Sequence, residues 1–203
     1  MIVFNLEQRS LEWLAWRQKG IGSSDAPVLW FGKHFGTTVE KLWRRKVGLE
    51  QKQFDNTAMA RGRRLEGRIV SLYEQVLGVS SEPLCCCHDE HPFIKSSLDG
   101  WVGEYGIVLE AKAPNRDDHA AALDGRAPEK YLPQLDHHLL ATGATICHYV
   151  SYSDYFPEGH RFALVEYRRD ESRLATLLGL EQAFWDLIQE GRWDAGRILS
   201  PAA

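Results

Sequence analysis

The chain has 203 residues, of which 44% are hydrophobic and 26% charged, with a formal net charge of −4. Such a chain is long enough to bury an ordinary core as one domain, and its composition excludes a fibrous or disordered polypeptide. No apolar run approaches the roughly 20 residues that span a bilayer, and the opening MIVFNLEQRSLEWLAW has neither a basic n-region nor an apolar h-region. A cytoplasmic location with no membrane partner is expected. The four cysteines, Cys85, Cys86, Cys87 and Cys147, fit a reduced chain. The first three match no CxxC spacing and would alternate between the faces of a strand. His88 and His91 follow closely and leave a zinc or iron–sulfur alternative open. The acidic balance weighs against broad phosphate neutralisation but leaves room for a narrow basic track.

In chain order, Thr37 with Glu40 makes a capping-box pattern, and Val39, Leu42, Trp43 and Val47 follow at helical spacing before Gly48. Asn56 is a candidate cap for a longer helix, in which Leu65, Ile69, Leu72, Tyr73, Val76 and Leu77 form one stripe ending at Gly78. Glu66 lies beside that stripe. Segments 79–87, 91–98 and 105–113 read as short strands, with turns at SEP, HDEHP and DGWVGEYG. Pro128 suits the first position of a helix with Leu132, Leu135 and Leu139 at buried spacing and Gly143 as its stop. Strand formers return in 145–153, so a strand–helix–strand order predicts a right-handed parallel crossover. FALVEYR is a further strand before a C-terminal helix carrying Leu174, Leu177, Leu178, Phe184, Leu187 and Ile188. This order predicts an α/β fold, with a mixed central sheet covered by helices and no internal domain boundary.

The stretch SSLDGWVGEYGIVLEAK, 96–112, places charges where a buried strand should be apolar. On a central strand over 105–113, Ile107, Leu109, Ala111 and Ala113 face one way, and Val108, Glu110 and Lys112 the other. Asp99 is expected in the preceding turn, from which a hairpin return brings it toward Glu110. Two carboxylates with the Ala111 carbonyl between Glu110 and Lys112 supply hard oxygen ligands suited to Mg²⁺ or Mn²⁺. A lysine beside them can orient or deprotonate water. A buried ion pair or a solvated edge strand accounts equally well for the spacing.

Elsewhere, Arg17 beside Trp13 and Trp16 could grip a terminal phosphate while an indole stacks on a base, or the indoles could be core. GIGSSDA could bind an anion or simply turn the chain into a helix. Arginines in WRRK, 43–46, and RGRRLEGR, 61–68, read as a solvated helix face or a phosphate track. His137 and His138 read as metal ligands or as surface or satisfied core residues; they differ by about 100° around a helix and cannot both face one ion.

Taken together, SLDG followed by LEAK resembles the PD-(D/E)xK nuclease motif, with Asp99, Glu110 and Lys112 in its places. WLAWRQKGIGSSDAPVLWFGKHFGTTVEKLWRRKVGL, 13–49, resembles the opening signature of the YqaJ-like viral recombinase family. ARGRRLEGRIV with Glu66 and YLPQLDHHL with Gln134 match its next two motifs, so the resemblance covers roughly residues 10 to 155. It implies a restriction-endonuclease-like core and an Mg²⁺-dependent 5′→3′ exonuclease on double-stranded DNA ends, with two ions per site. By resemblance, Asp99, Glu110 and the Ala111 carbonyl hold the metal and Lys112 activates water. Glu66 supports the second ion or the water, Gln134 orders the site, and Arg17, Ser24 and Ser97 grip the 5′-phosphate. A homotrimeric ring and a single-strand annealing protein as recombination partner are likewise implied. Leu98 stands at the motif's proline position, and Asp136 replaces a second glutamine, which puts contacts of that helix in doubt. The alternatives are an endonuclease on the same core, and a catalytically idle DNA-end-binding module.

Overall fold

The computed structural model describes residues 1–50, 57–198, 200 and 201. The first half holds β1 (Ile2–Phe4), α1 (Leu11–Gln18), β2 (Ile21–Gly22), α2 (Ala26–Phe31), β3 (Lys33–His34), β4 (Thr37–Thr38), α3 (Val39–Lys46) and α4 (Thr57–Leu77). The second holds β5 (Glu82–Cys87), β6 (Ile94–Val102), β7 (Ile107–Lys112), α5 (Arg116–Leu123), α6 (Leu132–Thr142), β8 (Ile146–Tyr152), β9 (Phe162–Arg168) and α7 (Glu171–Glu190). Among the described residues, seven strands share one mixed sheet in the order β1-β5-β6-β7-β8-β9, with β2 added parallel to the start of β6. The predicted crossover joins β7 to β8 in parallel, and their other neighbours run antiparallel.

Alternation along the central strands buries both sheet faces. Val108, Cys147, Tyr149, Ala163 and Val165 meet α2, α3, α6 and α7 through Leu29, Leu42, Leu135, Leu139, Leu174 and Phe184. Leu109, Val150 and Tyr152 meet Leu65, Ile69 and Tyr73 of α4 on the opposite face. Apolar burial on this scale is the main favourable contribution to folding. No helix of the described residues is long and apolar enough to cross a membrane.

Several local expectations shift. Thr38, one residue later than predicted, caps α3 by accepting the Lys41 N–H at 3.2 Å, while Thr37 accepts from Arg45 Nη1 at 3.3 Å. Asn56 lies outside the described residues. The buried stripe of α4 stops at Tyr73, and Val76 and Leu77 are exposed, because the helix outruns the sheet surface it covers. Pro128 precedes a short 3₁₀ turn, and α6 begins at Leu132 with Pro133 in its first turn, where no backbone N–H is required. Helix α5, capped by Asn115 accepting the Asp118 N–H at 2.9 Å, has too weak an apolar period to be seen in the sequence. The largest shift concerns DGWV, which belongs to β6 and not to a turn; the chain reverses at Gly103–Gly106.

Asp25, where the GIGSSDA turn enters α2, accepts the Gly22 N–H at 2.9 Å and pairs with Lys46 of α3 at 2.8 Å. Burial alone would raise this carboxyl, but Lys46, Arg17 and the Gly22 N–H bring it down to about 2. A folded pKa below the unfolded 3.8 stabilises the fold above about pH 4, and the gain disappears as pH falls through about 2. Chemical denaturation between pH 5 and 2.5 should therefore show the wild type losing about 2 kcal/mol more than Asp25→Asn, which cannot titrate.

Candidate active site

The site begins with an irregularity in β6. Leu84 of β5 pairs with Leu98, yet Glu82, two residues away, pairs with Trp101, three residues away. The extra residue makes a bulge at Asp99 and Gly100, a device that re-aims side chains. Leu98 and Trp101 thereby both pack toward the α6 and α7 core. Gly100 has no room for a side chain, since a Cβ there would lie 2.8 Å from Leu109 Cδ2 and 2.9 Å from Ser81 Oγ.

Beyond the bulge, β6 and β7 separate. Their register runs from Val102↔Ile107 to Gly100↔Leu109, whereas β7 continues alongside β8 through Lys112↔Ser151. Asp99 Oδ2 accepts the Ala111 N–H at 2.8 Å across the gap, so a side chain takes over from a ladder bond. Asp99 therefore reaches Glu110 and Lys112 from a bulged strand and not from the expected turn.

Glu110 is buried and fully engaged. Its Oε1 accepts from Lys112 Nζ and from Gln134 Nε2, the latter at 2.7 Å, and its Oε2 accepts from His138 Nε2 at 2.8 Å. His138 Nδ1 lies 2.5 Å from Ser96 Oγ, so a neutral ring accepts there while donating to Glu110. The sequence pointed to His138 as a metal ligand or a surface or core residue, not as a donor to Glu110. The signal was its position four residues after Gln134, which puts both on one face of α6.

Charge is unevenly compensated. Burial would raise Glu110, but Lys112 and His138 hold it down to about 2. Burial would lower Lys112, but Glu110 and Asp99 keep its ammonium charged and its pKa above the usual lysine value. Asp99 is pushed well above the carboxylate range by burial, then by Glu110 and Glu66. Glu66, on α4, is held by Arg9 Nη2 at 2.6 Å. A half-buried carboxylate raised by two other carboxylates is a place a divalent cation would stabilise, and oxygen donors suit Mg²⁺ or Mn²⁺. Asp99, Glu110 and the Ala111 carbonyl fit such an ion, and Glu66 stands outside a three-carboxylate cluster while it is paired with Arg9.

The phosphate-grip candidates also converge. Arg17 donates to Ser24 Oγ and stacks over the Trp13 ring at 5.0 Å, while Trp13 Nε1 donates to Ser97 Oγ at 2.7 Å. Gly22 lets Arg17 lie close, as a Cβ there would sit 3.1 Å from its Nε. Ser97 is two residues from Asp99, so β6 links this cluster to the carboxylates. Trp13 is buried, and Trp16 packs on Phe4 at 5.4 Å with the Lys95 ammonium 4.9 Å from its ring centroid. The indoles are thus packing elements, not free faces for a base.

Other candidates have structural duties. His137, turned away from the site, bonds Glu181 Oε1 at 2.6 Å and the Lys95 carbonyl at 2.9 Å; two acceptors require both ring N–H groups. Its pKa is accordingly raised, Glu181 overcoming the effect of burial. Asp136 points away too, accepting from Tyr167 at 2.5 Å and Arg173 Nη2 at 2.6 Å, so the missing glutamine alters the α7 side of the helix. Lys46, Arg45 and Arg44 pair with Asp25 or Glu50, and Arg61 with Asp154, which occupies much of the expected phosphate track. Cys85, Cys86 and Cys87 are buried, and among the described residues no three His, Cys, Asp or Glu side chains gather as a ligand cluster.

Residues 12–145 match the YqaJ-like viral recombinase domain. Over 185 residues the chain is 28% identical to the YqaJ protein of Bacillus subtilis (strain 168), covering 90% of this chain but 57% of that relative. Its fold is similar to that of the alkaline exonuclease LHK-Exo from Laribacter hongkongensis, with a TM-score of 0.78 at 23% identity over 90% of this chain and 94% of the other. The same enzyme in complex with dAMP gives 0.79 at 22% identity over the same shares. A phage related exonuclease from Haemophilus somnus 129PT gives 0.63 at 12% identity over 85% and 96%. The family match runs from α1, which carries Arg17, past α6, which carries Gln134 and His138: the chain belongs to the YqaJ-like viral recombinase domain family.

Proposed function

We propose that the chain is a divalent-metal-dependent deoxyribonuclease that uses two Mg²⁺ ions, or Mn²⁺, to digest one strand of double-stranded DNA from its 5′ end. The observation that carries this reading is the placing of Ser97, in the Arg17 cluster, two residues from Asp99 on one strand. That neighbourhood suits a strand whose 5′-phosphate is held while an adjoining linkage is cut. Asp99, Glu110 and the Ala111 carbonyl would hold the first ion, and Glu66 would support the second or the attacking water. A bound ion would supply Lewis-acid stabilisation of charge on the phosphoryl group.

The chain's own residues do the rest. Gln134 and His138 fix both oxygens of Glu110, so its orientation needs no reorganisation during reaction. Lys112 holds a proton beside the carboxylates, from where its ammonium donates a hydrogen bond that orients the attacking water. Arg17 offers a planar guanidinium, and Ser24 and Ser97 offer hydroxyls, to a terminal phosphate. Family membership supports a role in recombination by single-strand annealing, with an annealing protein as partner and a ring of three copies. The LHK-Exo complex with dAMP is in keeping with mononucleotides as the product.

The test is Mg²⁺-dependent nucleotide release from linear duplex DNA with one 5′-phosphorylated end, beside a closed circle. Loss of the phosphorylated strand with the circle untouched is expected; cutting of the circle would make the protein an endonuclease. Asp99→Ala, Glu110→Ala and Lys112→Ala should each lower the rate at least about a hundredfold while the circular dichroism spectrum is kept. Full activity in any one removes that residue from the mechanism. Arg17→Ala should reduce the preference for a phosphorylated over an unphosphorylated end by roughly ten- to a hundredfold, the worth of a charge-assisted bond. Equal use of both ends by the wild type would overturn the phosphate grip.

A further inference from the structure

The backbone around Arg9 is fastened on both sides. Gln8 donates its side-chain amide to the Leu98 carbonyl at 2.8 Å, one residue from Asp99. Ser10 caps α1 by accepting the Trp13 N–H at 3.1 Å, and its own N–H reaches the Glu7 carbonyl at 3.1 Å. Between these anchors Arg9 sits at φ +76°, a left-handed conformation that is uncommon for a long side chain and costs free energy. What this turn delivers is a guanidinium, with Nη2 2.6 Å from Glu66 Oε2, although Arg9 is 52% exposed and Glu66 31%. An arginine needing only solvent would require no such backbone. The positive charge instead covers the carboxylate whose field, with that of Glu110, reaches Asp99.

We propose that Arg9 is a built-in competitor for the divalent cation at Glu66: its guanidinium occupies the carboxylate while no ion is bound there and is displaced when one binds. The inference rests on the reading of Asp99, Glu110 and Glu66 as a metal site. It makes ion entry an exchange in which one tethered, monovalent cation leaves as a divalent one arrives. Between turnovers, Glu66 is kept from repelling Asp99 unopposed, and ion affinity is held below what the carboxylates alone would give.

The test is a Mn²⁺ titration of the full chain by calorimetry, without DNA, so the readout is binding and not turnover. Arg9→Gly removes the guanidinium and is suited to the positive φ, and Arg9→Asn, which also tolerates that conformation, serves as a second variant. Both should bind Mn²⁺ roughly 1.5- to 5-fold more tightly than the wild type, the range set by the worth of an exposed ion pair. The gain should vanish when Glu66→Gln is already present. A gain that survives Glu66→Gln would be a general charge effect and would overturn the proposal. So would unchanged affinity in both Arg9 variants, provided Glu110→Gln weakens binding. If Glu110→Gln leaves Mn²⁺ binding untouched, the metal-site reading fails and the role of Arg9 fails with it.

Discussion

Adjacent strands can part inside a sheet only where the backbone groups along the gap find other partners, because an unpaired buried N–H costs as much as a lost hydrogen bond. Between β6 and β7 that condition is met by the Asp99 carboxylate, which takes the Ala111 N–H. The bulge at Asp99 and Gly100 supplies the extra residue, and the absent side chain of Gly100 lets Leu109 and Ser81 close in behind it. The bond that allows the gap thus also holds Asp99 at its edge. Strand β7 stays paired to β8 throughout, so Glu110 and Lys112 remain on a rigid support.

Helix α6 completes the arrangement through an unusual economy of polar residues. Asp136, His137 and His138 are consecutive and all buried. Successive positions differ by about 100°, so each meets a different neighbour: Asp136 the Tyr167 and Arg173 side chains, His137 Glu181, and His138 Glu110 with Ser96. Burying such groups is tolerable only because each finds partners of matching polarity. A helix tied on three sides cannot rotate without breaking all three sets, and Gln134, one turn before His138, is held against Glu110 by the same constraint.

Much of this was legible in the sequence. The apolar periods located α3, α4, α6, α7 and the strands from β5 to β9, because those periods are set by which face meets the core. The alternation that puts Glu110 and Lys112 on one face of β7 was also readable, as was the resemblance linking Glu66, Asp99, Glu110, Lys112 and Gln134. Asp99 itself was placed in a turn, since Asp-Gly is a strong local turn signal. Its actual role in a bulge depends on pairing with β5, more than ten residues away in the chain. The contacts of His138 and Arg9 escaped for the same reason: one side chain bonds Ser96, 42 residues away, the other Glu66, 57 residues away.

Local chemistry therefore determined, from the sequence alone, α3, α4, α6, α7 and the strands from β5 to β9, the mixed sheet and the types of residue gathered on β7. The tertiary structure decided which oxygen of Glu110 meets which donor, that Asp99 bridges a gap in the sheet, that the two indoles are packed, and that Arg9 pairs with Glu66. The division has a physical cause. Periodicity and capping depend on a residue's immediate neighbours, whereas a hydrogen bond between distant segments is fixed only when the whole core sets their distance and angle.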